Sequence, residues 1–155
     1  MRKIILDFSK KINTLIINEN TEITGLFLGI NKLRSENTPT ILFSKGNLIL
    51  DIKIKAVMRD QSSFIFSPTL KVTNLQKGIN AIIKIQVLNI SQDTSVSSTP
   101  AMEIRQPDIS ASHALAISTF DNNQLDYLSS RGLTKEQAEE VLINSFISDI
   151  ISDIN

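Results

Sequence analysis

A strict alternation of apolar and polar side chains constrains this chain more than any other feature of its sequence. In "NLILDIKIKAVM", Leu48, Leu50, Ile52, Ile54, Ala56 and Met58 share one face, while Asp51, Lys53 and Lys55 share the other. Neighbouring residues of an extended chain point to opposite sides, so the pattern predicts a strand covered on one face and wet on the other. "NAIIKIQVLNI" repeats it, with Ile83, Ile85 and Val87 opposite Lys84 and Gln86. Shorter runs occur in "NTLIINEN", "GLFLGI", "TILFS" and "SFIF". Turn-forming residues separate them at Glu19-Asn20, Gly29 to Asn31, Lys45-Gly46-Asn47, Ser67-Pro68 and Lys77 to Asn80. Short, closely spaced strands fit a sandwich, a barrel or a β-solenoid. No clean fixed-length repeat singles out the solenoid, and alternation carries no information on strand direction. The polar stretch "SQDTSVSSTP", Ser91 to Pro100, reads as the longest loop.

After Phe120 the period changes. Asp121 with Gln124 three residues on forms a capping-box pattern, and Gly132 stands where a helix would stop, since glycine accepts a positive φ. A second helix starts at Thr134, with Gln137 completing another box and Leu133 and Ala138 placed for a hydrophobic staple. Ala138, Val141, Leu142, Ser145, Phe146 and Ile150 step by three and four, and Ile143, Ile147, Ile151 and Ile154 widen the stripe. A helix apolar over so much of its girth is well buried or docks a partner. The expected organisation is a strand core over residues 1–120 and a helical segment over 121–155.

Composition removes several functions. The chain has no cysteine, which excludes disulfides, thiolate nucleophiles and thiolate metal or iron–sulfur ligation in cis. Its five glycines are scattered, with no phosphate-cradling loop. Net charge is zero, but residues 1–105 hold 14 Lys/Arg against 8 Asp/Glu and residues 106–155 hold 2 against 8. That asymmetry reads as ordinary solvated surface or as an acidic tail aimed at a basic partner. The basic part lacks the arginine–aromatic interleaving that stacks on nucleic acid, so no nucleic-acid partner is expected. "MRKIILDFSKK" has too short an apolar run for a signal-peptide core, and no window approaches a membrane span. The expectation is a cytoplasmic protein without a membrane partner.

The only histidine, His113, lies in "DISASHALAI". On a strand, adjacent Ser112 points away from it, and Ser110 and Asp108 lie on the Ser112 face, so no local Ser–His–Asp triad can form. No G-x-S-x-G elbow exists elsewhere. No catalytic residue is therefore assigned. A strand histidine with its ring hydrogen-bonded at a subunit contact is the plainer reading, and a metal site would need carboxylates from distant segments.

"DNNQLDYLSSRGLTKEQAEEVL" resembles the C-terminal signature of the SufB/SufD family, close to D-x-x-Q-L-x-Y-L-x-S-R-G-L. The match covers Asp121, Gln124, Leu125, Tyr127, Leu128, Ser130, Arg131, Gly132, Leu133 and Ala138. Upstream, Pro100, Glu103, Ile104, Asp108 and His113 hold positions similar to the family's P-x-L-E-I segment and its Cys-x-His strand. The likeness is strong over residues 98–146 and extends to about Lys53. It implies a right-handed parallel β-helix with two C-terminal α-helices, acting as a scaffold subunit of the SUF iron–sulfur cluster assembly system. It also implies pairing through the β core, with a second copy or a SufB/SufD-like paralogue, and binding of a SufC-type ABC ATPase by the helices. On that layout Tyr127, Arg131, Gly132, Val141, Leu142, Phe146 and Ile150 are the partner-binding candidates. His113 holds the family's cluster-assembly histidine position, but the family's cysteine position is Ala111. No cofactor is therefore expected on the isolated chain, and a degenerate solenoid that kept the shape without cluster assembly is the alternative. The chain is also much shorter than ordinary family members.

Overall fold

The computed structural model describes residues 1–72, 76–104 and 108–154. The chain begins with β1 (Arg2–Asp7) and β2 (Leu15–Ile17), then makes a coil of β3 (Thr21–Gly29), β4 (Arg34–Asn37) and β5 (Thr40–Phe43). The next coil is β6 (Ile49–Met58), β7 (Ser63–Phe66) and β8 (Thr69–Val72). A further coil holds β9 (Ile79–Asn89), β10 (Ser95–Ser97) and β11 (Ala101–Ile104), and β12 (Ile109–Ser118) stacks beyond it. Helices α1 (Asn122–Ser130) and α2 (Lys135–Ile154) follow.

Every described pairing is parallel, and the strands form three sheets: β1-β3-β6-β9-β12, β10-β7-β4 and β11-β8-β5-β2. This is a β-solenoid. Thr21 lies on Leu50, Ile49 on Asn80 and Ile79 on Ile109, so one coil takes 29, 31 or 30 residues. The varying step explains why no fixed repeat shows in the sequence: corners absorb one or two residues while the strands stay in register.

The alternation becomes an inside and an outside. Ile23, Ile52 and Ile83 stack in successive coils at 0 or 1% exposure, as do Ile54 and Ile85 one step along. Each fully buried isoleucine contributes about 1.5–3 kcal/mol relative to exposure. Phe8, Phe27, Phe64 and Phe66 fill the bore, with Phe8 edge-on to Phe66 at 5.2 Å and Phe27 stacked on Phe64 at 5.3 Å. Gly25 lets that ring in, since a Cβ there would sit 2.1 Å from Phe8.

Most of the expected turns fall at the corners, although Ile79 and Asn80, read as part of a turn, already belong to β9. Asn31 and Asp60 take φ of 57° and 56° at equivalent corners, and the Asn31 amide donates to the Asp60 carboxylate at 2.8 Å. Two segments differ from expectation. Ser91–Pro100 is not wholly loop, because Ser95–Ser97 forms β10 against Ser63–Ile65. Arg34–Asn37 carries no alternating apolar signal yet forms β4, with Ser35 and Asn37 buried. Their polar atoms are satisfied by the preceding loop: Ser35 Oγ donates to the Phe8 carbonyl, and Asn37 Oδ1 accepts from the Ile12 amide at 2.6 Å. In both cases the coil beside the segment decides its conformation, and its own propensity does not.

The helical caps are those the residues predict, with one change. Thr134 and Gln137 make the reciprocal box, the Thr134 amide donating to Gln137 Oε1 and the Gln137 amide to Thr134 Oγ1. Asp121 caps α1, but its carboxylate accepts from the Asn123 amide, and the Gln124 amide donates to the Asp121 carbonyl. Gly132 sits at φ 93°, and the Leu133 amide donates back to the Leu128 carbonyl. Helix α2 packs on the outer face of the first sheet, against β3 and β6. No helix among the described residues is long and apolar enough to cross a membrane.

Candidate functional site

The β12 end of the solenoid is where the chemistry-bearing residues gather. β10, β11 and β12 each end their sheet, so among the described residues each leaves one backbone edge unpaired. The inward side chains of this last layer lack a coil above them. Ile109, Ala111, Leu115, Val96 and Ile104 are only partly covered, and Met102 and Ile117 are 42% and 54% exposed. By contrast, the equivalent positions one coil below are almost fully buried.

His113 belongs to that inward set. It lies on Ile83, which lies on Ile52, which lies on Ile23, so an imidazole ends a column that is otherwise isoleucine. Ala111, two residues earlier, faces the same way over Ala81. Ser110, Ser112, Ala114 and Ala116 are exposed on the outer side. The opposite orientation of Ser112 and His113 is as the strand alternation requires. The ring's contact comes instead from Ser98, just after β10: Ser98 Oγ lies 3.0 Å from His113 Nε2 and donates to the Phe66 carbonyl at 2.6 Å. Sequence reasoning missed Ser98. It lies fifteen residues from His113 inside a stretch read as loop, and only the stacking of coils brings the two together.

Among the described residues no cluster of three or more His, Asp or Glu side chains is arranged to hold a metal ion. One imidazole beside an alanine is not a ligand set for an iron–sulfur cluster in cis, which calls for several soft donors.

The helices form the second candidate region. Tyr127 and Val141 are 58% and 45% exposed along the seam between α1 and α2, where Asn123, Gln124, Leu128 and Leu142 line a shallow groove. The Arg131 guanidinium lies 5.3 Å from the centre of the Tyr127 ring, and Gly132 closes α1 beside it. Phe146 and Ile150, grouped with these in the sequence, turn the other way. Ile150 is 2% exposed, and the Phe146 ring lies 4.8 Å beneath the Lys55 ammonium. Both are occupied in cis, where they fasten α2 to the sheet.

That fastening also draws on the charge asymmetry. Lys55 donates to Asp149 Oδ1 at 2.7 Å and to the Phe146 carbonyl, and Arg59 meets Glu139 at 3.8 Å. Acidic groups of the C-terminal segment thus meet basic groups of the strand core within one molecule. Partial burial pushes the Asp149 carboxyl up, but the Lys55 ammonium and the Ile150 amide pull it further, so it lies below the ordinary carboxylate range.

Comparison with known proteins gives one consistent result. A family model described as the SUF system FeS cluster assembly, SufBD core domain, matches residues 11–146. The iron–sulfur cluster assembly protein SufD of Bacillus subtilis is 33% identical over 122 residues, covering 78% of this chain and 28% of that protein. The iron–sulfur cluster assembly SufBD family protein Rv1461 of Mycobacterium tuberculosis is 26% identical over 70% of this chain and 13% of its own length. Protein ABCI7, chloroplastic, of Arabidopsis thaliana is 30% identical over 61% of this chain and 20% of its own length. The chain therefore spans less than a third of each of these relatives.

Proposed function

Because the chain belongs to the SufBD family of iron–sulfur cluster assembly proteins, we propose that it is a non-catalytic scaffold subunit that pairs through the β12 end of its solenoid. The observation that carries this reading is the uncapped last layer. Unpaired strand edges, half-covered apolar side chains and the one inward histidine are together there, which suits a second solenoid of the same kind. The partner is a second copy or a SufB/SufD-like paralogue. A paralogue with a cysteine at the position held here by Ala111 would bring the thiolate this chain lacks to His113.

The α1–α2 seam is the proposed seat of a SufC-type ATPase. Tyr127, Arg131, Val141 and Leu142 supply an aromatic, a cation and aliphatic surface, with Gly132 setting the angle between the helices. Calorimetric titration with the SufC-type ATPase of the same genome, with and without ATP, tests it. Saturable binding that is lost in Tyr127→Ala/Val141→Asp, with circular dichroism unchanged, is the expected result. Undiminished binding by that variant removes the seam from the proposal, and no binding by the parent chain removes the ATPase. The absence of any cysteine favours a second reading, a solenoid that pairs but takes no part in cluster work. Anaerobic iron and sulfide reconstitution of the complex with a cysteine-bearing SufB/SufD-like paralogue separates the two, since only the first reading expects a visible chromophore.

A further inference from the structure

We infer that Ser98 is a positioning residue for His113 at the β12 end of the solenoid, fixing the imidazole as the Nε2–H tautomer and leaving Nδ1 as the unprotonated nitrogen. The inference takes its functional meaning from the pairing proposed above, but its physical content is a count of protons. A serine hydroxyl has one proton and two lone pairs. The Phe66 carbonyl oxygen can only accept, and it lies 2.6 Å from Ser98 Oγ. Two oxygens at that separation repel unless a proton lies between them, so the hydroxyl proton is spent there. Ser98 then has only a lone pair to offer His113 Nε2 at 3.0 Å, and the ring nitrogen must be the donor. A neutral imidazole carries a single N–H, so Nδ1 is bare. Ser98 is the ring's hydrogen-bond partner among the described residues, and none accompanies it on Nδ1.

This polarity is the reverse of a hydrolase pair. There the serine gives its proton to the ring and becomes a nucleophile; here the serine accepts from the ring and is held inert. The ring instead keeps its electron pair on Nδ1. Anchorage is firm at both ends. Residue 113 is set by the β9–β12 register and Ser98 by the β7–β10 register continued one step, so the solenoid's own ladders hold the geometry. A lone pair whose direction is fixed before a partner arrives costs no reorganisation on binding.

The single histidine makes the test direct. A long-range proton–nitrogen correlation on the uniformly nitrogen-15-labelled full chain, in alkaline buffer where imidazole is unprotonated, contains one ring. The expected pattern is a single Nε2–H tautomer. Ser98→Ala is expected to lose it and give an averaged pair of nitrogens, while Ser98→Thr, which keeps the hydroxyl, restores it. An Nδ1–H or averaged pattern in the parent chain overturns the inference outright, and so does an alanine variant that retains Nε2–H. Sedimentation velocity on the same samples keeps the two ideas apart. Pairing without the tautomer sinks this inference alone; the tautomer without pairing upholds it and counts against the pairing surface.

Discussion

Ile150→Ala should detach the end of α2 while leaving the solenoid folded. Ile150 is 2% exposed on the outer face of the sheet, and among the described side chains of the helix Ile147 and Ala138 are also buried, at 6% and 0%. Truncating a fully buried isoleucine to alanine costs about 2–5 kcal/mol. Opposing that loss at this end of the helix are the Lys55–Phe146 cation–π contact, worth about 0.5–2 kcal/mol, and the Lys55–Asp149 pair, whose carboxylate faces solvent and which is worth about 1 kcal/mol. The hydrophobic term of Ile150 is thus at least as large as the two charge contacts of Lys55 together. The inner columns through Ile52 and Ile83 do not include Ile150 and should not feel its loss. Amide hydrogen exchange read by mass spectrometry distinguishes local from global opening. Protection over residues 146–152 should fall roughly 30- to 4,000-fold, on the scale of about 1.4 kcal/mol per decade, while β6 and β9 change little. Equal loss in α2 and β9 would show the helix and solenoid to be one cooperative unit, and an unchanged α2 would show the dock to be held by something other than Ile150. Either result refutes the reasoning.

Gly25→Ala should cost about 1–3 kcal/mol, because its methyl would meet Phe8 at 2.1 Å and Phe8 is held in turn by Phe64 and Phe66; a melting temperature lowered by about 3–10 °C is expected, and an unchanged one would mean the ring cluster yields freely. Thr134→Ala removes one side of the complete capping box and should cost about 1 kcal/mol, read as faster exchange over the first turn of α2. Asp149 is held below the ordinary carboxylate range, so its contribution to the dock is complete above the unfolded-state value near ~3.9 and is lost as pH falls through the depressed folded value. Helix α2 should therefore exchange faster than the solenoid as the solution is acidified, and Asp149→Asn should flatten that dependence over the same pH range.

The local physics of this chain is legible in its sequence. Alternation at Leu50, Ile52 and Ile54 can only bury one face of a strand, and the change of period after Phe120, with caps at Asp121 and Thr134, places the two helices. The opposite orientation of Ser112 and His113 follows from the pleat alone, and the Y-L-x-S-R-G-L run carried the family likeness that the SufBD core match bears out. What the sequence leaves open is everything spanning one coil. In a parallel stack each ladder partner lies about thirty residues away, as Ile49 and Asn80 do, and corner lengths vary enough to hide the repeat. So Arg34–Asn37 and Ser95–Ser97 become strands because a neighbouring coil offers them hydrogen bonds, against their own composition. Phe146 and Ile150 belong to a stripe that runs around α2, and only the docking of the helix on β3 and β6 decides that they turn inward while Val141 stays out. The meeting of Ser98 with His113 is of the same kind: a contact made by stacking, between residues whose local sequences say nothing of each other.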